Sequence, residues 1–370
     1  MNAALQQAAG WPGSLEDVRT CPACGDPRRK DELDDLRDAT FAAAVGSWSL
    51  KRCVGCRIAY LDPRPDPASI HLAYRNYYTH APMMAATRSV SAFLKHALAN
   101  GYRNHLHGTK LKPALLAGAL LTPLFPAVAQ HLREEDRGIG RREGSPGRLL
   151  DVGCGNGHFM QVARRLGWLS YGVDADAAAA AAATAARCGE IIGSQIDDVG
   201  VGYDGFFDVV TLSHVIEHVH DPLETLRHCW RILQPGGYAW IETPNIDSVG
   251  YEVYGGHWRG LEPPRHLVLF SPASLRSCLE RAGFERIRIL PPRNVAEHLF
   301  TLSAAMQCGR IAERDTSPLP MQVRQQVRQA VMRAEGIVRR DPTRSEFVTA
   351  VAYRPGKPPE QRPLASSVAG

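Results

Sequence analysis

Three groups of residues in this 370-residue chain have types and spacings that could do chemistry. The first is the run Leu149-Leu-Asp-Val-Gly-Cys-Gly-Asn-Gly157, followed by Tyr171-Gly-Val-Asp174. An apolar strand enters a glycine loop, a helix leaves it, and a second strand ends on a carboxylate, which is the nucleotide-binding order of a doubly wound α/β sheet. Glycine lacks a Cβ, so the backbone can turn tightly and a ligand can lie against it. The helix carries Phe159, Val162, Ala163 and Leu166 at i, i+3, i+4 and i+7, one apolar face. Its first turn is expected to aim N–H groups at the occupant of the loop. A dinucleotide site needs G-x-G-x-x-G under a pyrophosphate. Here the glycines stand at 153, 155 and 157, and His158 takes the place of the third dinucleotide glycine. Asp151, two residues before the loop, repels a pyrophosphate but suits an ammonium. Asp174 is placed to accept from two ribose hydroxyls.

An adenosine with an amino-acid arm and no phosphate satisfies this pattern, and S-adenosylmethionine is that ligand. The stretch closely resembles the first two motifs of class I S-adenosylmethionine-dependent methyltransferases. The resemblance implies transfer of a methyl group, with Asp151, Gly153, Cys154, Gly155, Gly157, Asp174, Ala175 and Ser213 as the cofactor-binding set.

The second group is Cys21-Pro-Ala-Cys24 and Cys53-Val-Gly-Cys56, two knuckles that can each offer two thiolates to one tetrahedral ion. A structural Zn2+ held by Cys21, Cys24, Cys53 and Cys56 is expected, and it would supply folding free energy to a short, polar segment. Redox dithiols or idle cysteines are the alternative. Nine cysteines, an odd number, argue against a disulfide framework and for a reducing cytoplasm. Met1 to Gly13 lacks a basic start followed by an apolar stretch, so no signal peptide is visible there.

The third group lies on the substrate side. Thr211-Leu-Ser-His-Val-Ile-Glu-His-Val-His-Asp-Pro222 follows the fourth strand, and Gly256-His-Trp-Arg-Gly-Leu-Glu-Pro-Pro-Arg-His-Leu267 follows the fifth. His214-x-x-Glu217-His218 matches an inverted zincin pattern, but that chemistry needs the motif within a helix, and here it begins at a strand end. The segment is similar to the fourth motif of small-molecule methyltransferases. It also resembles ubiquinone-biosynthesis O-methyltransferases, whose matching acidic and histidine positions bind a divalent ion; this chain carries His214 where they carry a carboxylate. The 256–267 loop resembles that of bacterial methyltransferases of sugar and polysaccharide pathways, although it could also be a loop stapled by Trp258 and ion pairs. A hydroxyl or carbon acid needs a base for methylation, and histidine suits that role near neutral pH. The candidates are His266, then His214, then His218. The expected acceptor is a small molecule, a sugar or a lipid-linked compound, methylated on oxygen or carbon. The alternative is an RNA methyltransferase that holds RNA through the cysteine knuckles and Arg133–Arg148, although Thr243-Pro-Asn245 lacks the aromatic expected for a flipped base. A formal charge of +5 permits nucleic acid without demanding it.

The elements that must position these groups give the fold class: α/β, a doubly wound Rossmann-like methyltransferase sheet with a small N-terminal zinc ribbon and a helical insert. Strands are expected at 148–153, 169–174, 190–194, 206–213 and 237–243. Helices start at Asp176, at Asp221-Pro222 and at Ser271-Pro272, each with an acceptor at the cap position. Leu223, Leu226, Trp230 and Leu233 form the buried stripe of the second, and Pro235-Gly236-Gly237 stops it. Two further strands, at 286–290 and 347–352, form the last pair, the final strand antiparallel by resemblance. The domains expected are a zinc-ribbon-like segment over 14–60, a linker and helical lid over 61–145, and the methyltransferase domain over 146–355 with a helical insert near 294–340. A disordered tail is expected over 356–370. Pro113 to Ala129 carries no charge, yet it is too short for a membrane span and is interrupted by Pro123 and Pro126. It suits a lid or a contact with a membrane surface or lipid substrate. Arg133–Arg148 reads as a solvated linker.

Overall fold

The computed structural model describes residues 10–74, 90–140, 146–293, 295–312, 315 and 317–356. Nearly all of the expected tail, and residues 75–89 and 141–145 of the expected linker and lid, lie outside these. Apart from the two-residue pair Leu15–Glu16 and Arg64–Pro65, the strands are β1 (Arg29–Leu36), β2 (Trp48–Cys53), β3 (Ala59–Leu61), β4 (Arg148–Val152), β5 (Leu169–Val173), β6 (Glu190–Gly193), β7 (Phe207–Ser213), β8 (Leu233–Pro244), β9 (Val268–Leu269), β10 (Glu285–Ile289) and β11 (Phe347–Tyr353). The chain forms two compact units. One takes the residues up to Tyr77, Ser213–Trp230 and Ile241–Tyr353; the other takes those from Tyr78 to Leu212, Arg231–Trp240 and those from Arg354 on.

The second unit holds the Rossmann-like sheet, in the order β8-β7-β4-β5-β6. Strands β4, β5, β6 and β7 are parallel, with Asp151 opposite Gly172 on one side and Thr211 on the other. Leu149, Leu150, Val209 and Val210 are fully buried, as strands covered on both faces require. The helix His158–Arg165 buries Phe159, Met160 and Ala163. The helix Ala177–Ala185 is capped by Asp176, which accepts from Ala178 N and Ala179 N.

Strand β8 belongs to both units, and its last residues, Ile241–Pro244, lie in the first. There the order continues β8-β11-β10, with β10 and β11 antiparallel through Arg288–Val351 and Ile289–Ala350. The sequence places the start of β8 at Gly237, after a breaker. In fact the strand follows the helix Pro222–Ile232 directly. Gly236 absorbs the break with φ +81°, and its N–H donates to Arg354 O. Leu233 therefore belongs to the strand, and Leu226, Cys229 and Ile232 form the buried stripe of the helix.

The first unit also contains the antiparallel sheet β9-β3-β2-β1. Trp48, Leu50 and Leu61 of this sheet share one apolar core with Ile246, Trp258 and Phe300. The cysteine-bearing segment is thus stabilised by burial as well as by any ion. The stretch after residue 61 is not a free linker: Asp62 is buried and accepts from Val18 N at 2.8 Å. Farther along, the helix Pro272–Arg281 starts on a capping box at Ser271, and Gly283 follows it with φ +94°. The helices Ala296–Gln307 and Met321–Arg340 lie between β10 and β11. No helix among the described residues is long and apolar enough to cross a membrane.

Candidate functional site

In the second unit the glycine loop turns through three positive φ values, +68° at Gly153, +53° at Gly155 and +80° at Gly157. At Gly155 nothing crowds a Cβ, so the backbone angle alone demands glycine. At Gly157 a Cβ would also lie 2.6 Å from the Cys188 side chain. The N–H groups of Gly153 and Cys154 donate to Val173 O at 2.8 and 3.1 Å. The Gly155 N–H donates to Asp174 Oδ2 at 2.6 Å, and Asp176 N donates to Asp174 Oδ1 at 2.9 Å. These donors are satisfied within the loop rather than aimed at a ligand. Asp174 keeps accepting capacity on both oxygens, and burial pushes its pKa up. Cys154 packs its side chain into a cluster with Met160, Ala183 and Cys188, so its thiol is structural. Ala175, next to Asp174, is exposed.

Asp151 is only 1% exposed. It accepts from Thr211 Oγ1 at 2.7 Å and from Arg137 Nη1 at 2.6 Å. The Arg137 guanidinium lies 3.8 Å from the Phe159 ring centroid and 5.3 Å from that of Trp240. Arg137 comes from the stretch expected to be a solvated linker, and the structure corrects that expectation. Nothing in the local pattern marks this residue, because its partner lies across the linker and its site forms only on folding.

The first unit gathers the three candidate histidines. Its segment after β7 opens with the half-buried Ser213 and then His214. His214 has φ +54° and lies between two buried carboxylates, with Nδ1 3.2 Å from Glu217 Oε1 and Nε2 3.5 Å from Glu242 Oε1. Burial opposes its charge, but the hydrogen bonds and charges of the two glutamates lift its pKa to about 9. Burial likewise opposes the charge of Glu217, whose pKa is nonetheless held near 2 by His214. His214 thus carries its proton at neutral pH.

His266 is the opposite case. It is 4% exposed, and burial pushes its pKa down to about 4 against the pull of Glu262. Its Nδ1 donates to Gly260 O at 2.7 Å, which leaves the lone pair on Nε2. His218 Nδ1 lies 3.0 Å from Arg265 O and 3.0 Å from the Tyr74 hydroxyl. The two imidazoles meet edge-on at 4.7 Å between centroids. Glu217, His218 and His266 each bring a ligating atom within 4.8 Å of the others. Glu217 Oε2 is buried with no hydrogen-bond partner among the described residues.

The 256–267 loop is held from several directions. Trp258 is fully buried and donates to Glu346 Oε2 at 2.8 Å. Arg265 is fully buried and reaches Asp38 Oδ1 at 2.7 Å, Asp38 Oδ2 at 3.1 Å, Glu262 Oε1 at 2.8 Å and Ala73 O at 3.0 Å. Arg259 also pairs with Glu262. The stapling by Trp258 and ion pairs is therefore real, and it holds His266 in one orientation.

The four cysteine sulfurs also lie within 4.8 Å of one another, with Cys21–Cys56 and Cys24–Cys53 at 3.5 Å. A tetrahedral zinc with bonds of about 2.3 Å separates its sulfurs by roughly 3.8 Å, so the cage fits such an ion. Both knuckles close alike. Gly25 N donates to Cys21 O at 2.8 Å and Arg57 N to Cys53 O at 3.1 Å. Gly25 and Arg57 are both left-handed, at φ +76° and +64°.

Residues 128–289 match a family model described as a methyltransferase domain. A ubiquinone biosynthesis O-methyltransferase of a Caulobacter species is 40% identical over 118 residues, covering 30% of this chain and 47% of that protein. The enzyme of the same name from Thiobacillus denitrificans is 29% identical over 149 residues, covering 37% of this chain and 64% of that protein. The chain thus spans 47% and 64% of the lengths of these two relatives. A solved S-adenosylmethionine-dependent methyltransferase from Archaeoglobus fulgidus is 19% identical, covers 68% of this chain and 97% of that chain, and superposes with a TM-score of 0.38.

Proposed function

From a methyltransferase domain over residues 128–289, we propose that the chain transfers a methyl group from S-adenosylmethionine to a hydroxyl of a small molecule, with sugar and lipid-linked acceptors within that class. The observation that carries this reading is the glycine loop braced by Asp174, next to the paired Asp151 and Arg137. A carboxylate and a guanidinium side by side match the ammonium and carboxylate of an amino-acid arm, and no phosphate cradle is left among the loop N–H groups. The relatives' names support an oxygen acceptor and do not support the RNA alternative.

When bound, S-adenosylmethionine supplies a methyl group already activated on a sulfonium. The protein's task is alignment, which can contribute roughly 7–11 kcal/mol, and removal of the acceptor proton, worth about 10² to 10⁴ in rate. Asp174 would accept from the ribose, and Asp151 with Arg137 would hold the amino-acid arm. His266 would take the proton on Nε2, because it is neutral and its Nδ1 is tied to Gly260 O. His214 would stay an imidazolium that neutralises Glu217 and Glu242. A second reading has Glu217, His218 and His266 hold a divalent cation, favoured by the unpartnered Glu217 Oε2. Such an ion would polarise the acceptor oxygen.

The four knuckle cysteines would hold one structural zinc. The odd number of nine cysteines, four of them in the two knuckles, supports a reducing compartment such as the cytoplasm. Calorimetry with S-adenosylmethionine, S-adenosylhomocysteine and NADH tests the cofactor assignment. Binding of the first two without added metal is expected, and binding of NADH alone would refute it. Labelled methyl transfer to fractionated small molecules, with and without divalent ions, tests the acceptor class and separates the two readings.

A further inference from the structure

Beside a small core of Tyr102, Ala129 and Leu132, part of the helical insert of the second unit is packed inside out. Its helices Val90–His107 and Ala117–Leu121 meet through small residues: Ala97, Gly101, Gly118 and Ala119 are buried. A Cβ on Gly101 would lie 1.8 Å from Leu115 O, and one on Gly118 would lie 1.9 Å from Leu98 O, so the backbones touch. Six large apolar side chains face outward instead. Leu116, Leu120, Leu121, Leu124, Phe125 and Val128 are between 47% and 80% exposed. Water-facing helices bury their large side chains and expose polar ones. Small residues at the helix contact with leucines outside is the arrangement that suits a hydrocarbon surrounding.

Charge identifies the surrounding further. From Val90 to Leu132 there is no aspartate or glutamate, whereas Lys95, Lys110 and Lys112 are all exposed. Arg103, the other full cation of this stretch, pairs with Glu135. An apolar face in a stretch with three exposed lysines and no acidic residue matches an anionic lipid surface. The segment is too short to span, and no described helix could cross a membrane, so it would lie in the interface plane.

We propose that this insert docks the protein on an anionic bilayer, with Leu116, Leu120, Leu121, Leu124, Phe125 and Val128 in the headgroup–acyl boundary and the lysines on the headgroups. The inference does not rest on the methyltransferase reading. The test is sedimentation of the full chain with vesicles of equimolar phosphatidylglycerol and phosphatidylcholine, and with phosphatidylcholine alone. The protein is expected to bind the anionic vesicles and to bind the neutral ones more weakly. Added salt should reduce that difference, because exposed charges are screened. Leu120→Asp with Leu124→Asp should lower partitioning about tenfold or more at unchanged melting temperature. Lys110→Glu with Lys112→Glu should remove the preference for anionic lipid. Absence of vesicle binding by the wild-type chain would overturn the proposal. So would a wild-type dimer that the leucine variant converts to monomer without vesicle binding, since the face would then meet a second copy of the chain.

Discussion

Arg265→Met removes one side chain and leaves two buried carboxylates behind. In the native chain the guanidinium serves Asp38, Glu262 and the Ala73 carbonyl, and it lies 4.5 Å from the Phe41 ring centroid. Methionine keeps much of the apolar stem but none of the five donors. Breaking a buried pair by removing one partner costs about 3–5 kcal/mol. The lower end applies here. Asp38 keeps N–H donors from Phe41, Ala43 and Ala44, at 3.1, 2.9 and 3.1 Å, and Glu262 keeps Arg259. At about 3 kcal/mol, a fall in Tm of roughly 6–12 °C is expected for a unit of this size.

The pH dependence gives a sharper test. Burial opposes the charge on both Asp38 and Glu262, yet the arginines beside them hold both pKa values below the ordinary carboxylate range. Their contribution is therefore present above the unfolded carboxylate pKa, about 4, and is lost as pH falls through the folded values. Without Arg265 both groups rise, so the gap between variant and wild type should be widest near neutrality and narrow below about pH 4.5. Thermal unfolding of both proteins across pH 4 to 8 measures it. Equal Tm values at pH 7, or a gap that widens on acidification, would refute the reasoning.

Asp174→Ala should weaken S-adenosylmethionine binding by about 1.5–3 kcal/mol for each charged hydrogen bond lost; unchanged affinity by calorimetry would remove Asp174 from the site. Cys53→Ser should lower the zinc content from the one ion per chain expected of wild type, read by elemental analysis, together with a lower Tm. His266→Ala should keep cofactor affinity and lower turnover by about 10² or more, with the defect shrinking as pH rises and the acceptor ionises unaided. A loss of Tm with full rate per folded molecule would instead make His266 a loop staple. In metal-free buffer His214 should titrate near pH 9 by NMR. Its raised pKa stabilises the fold below about pH 6.5 and loses that effect as pH rises toward 9, so His214→Gln should flatten the alkaline decline.

The features legible in the chain are those whose physics is local. Gly155 needs a positive φ whatever surrounds it, and an acceptor at Asp176 or Ser271 caps a helix by reaching a donor two or three residues on. Two C-x-x-C knuckles build the same turn twice, so their spacing alone points to a four-sulfur cage. The start of β8 is not legible locally, because Pro235-Gly236-Gly237 is a breaker only in isolation; a hydrogen bond from Gly236 to Arg354, far along the chain, keeps it in the strand. The same holds for the chemistry. His214 and His266 are the same residue type, yet Glu242, brought from β8, joins the nearby Glu217 in protonating the first, while burial keeps the second neutral. Arg137 on Asp151, and Asp38 on Arg265 across 227 residues, depend on charges that meet only after the chain has closed. Charge–charge and burial energies depend on distance in space, and the sequence order of the partners carries no record of it.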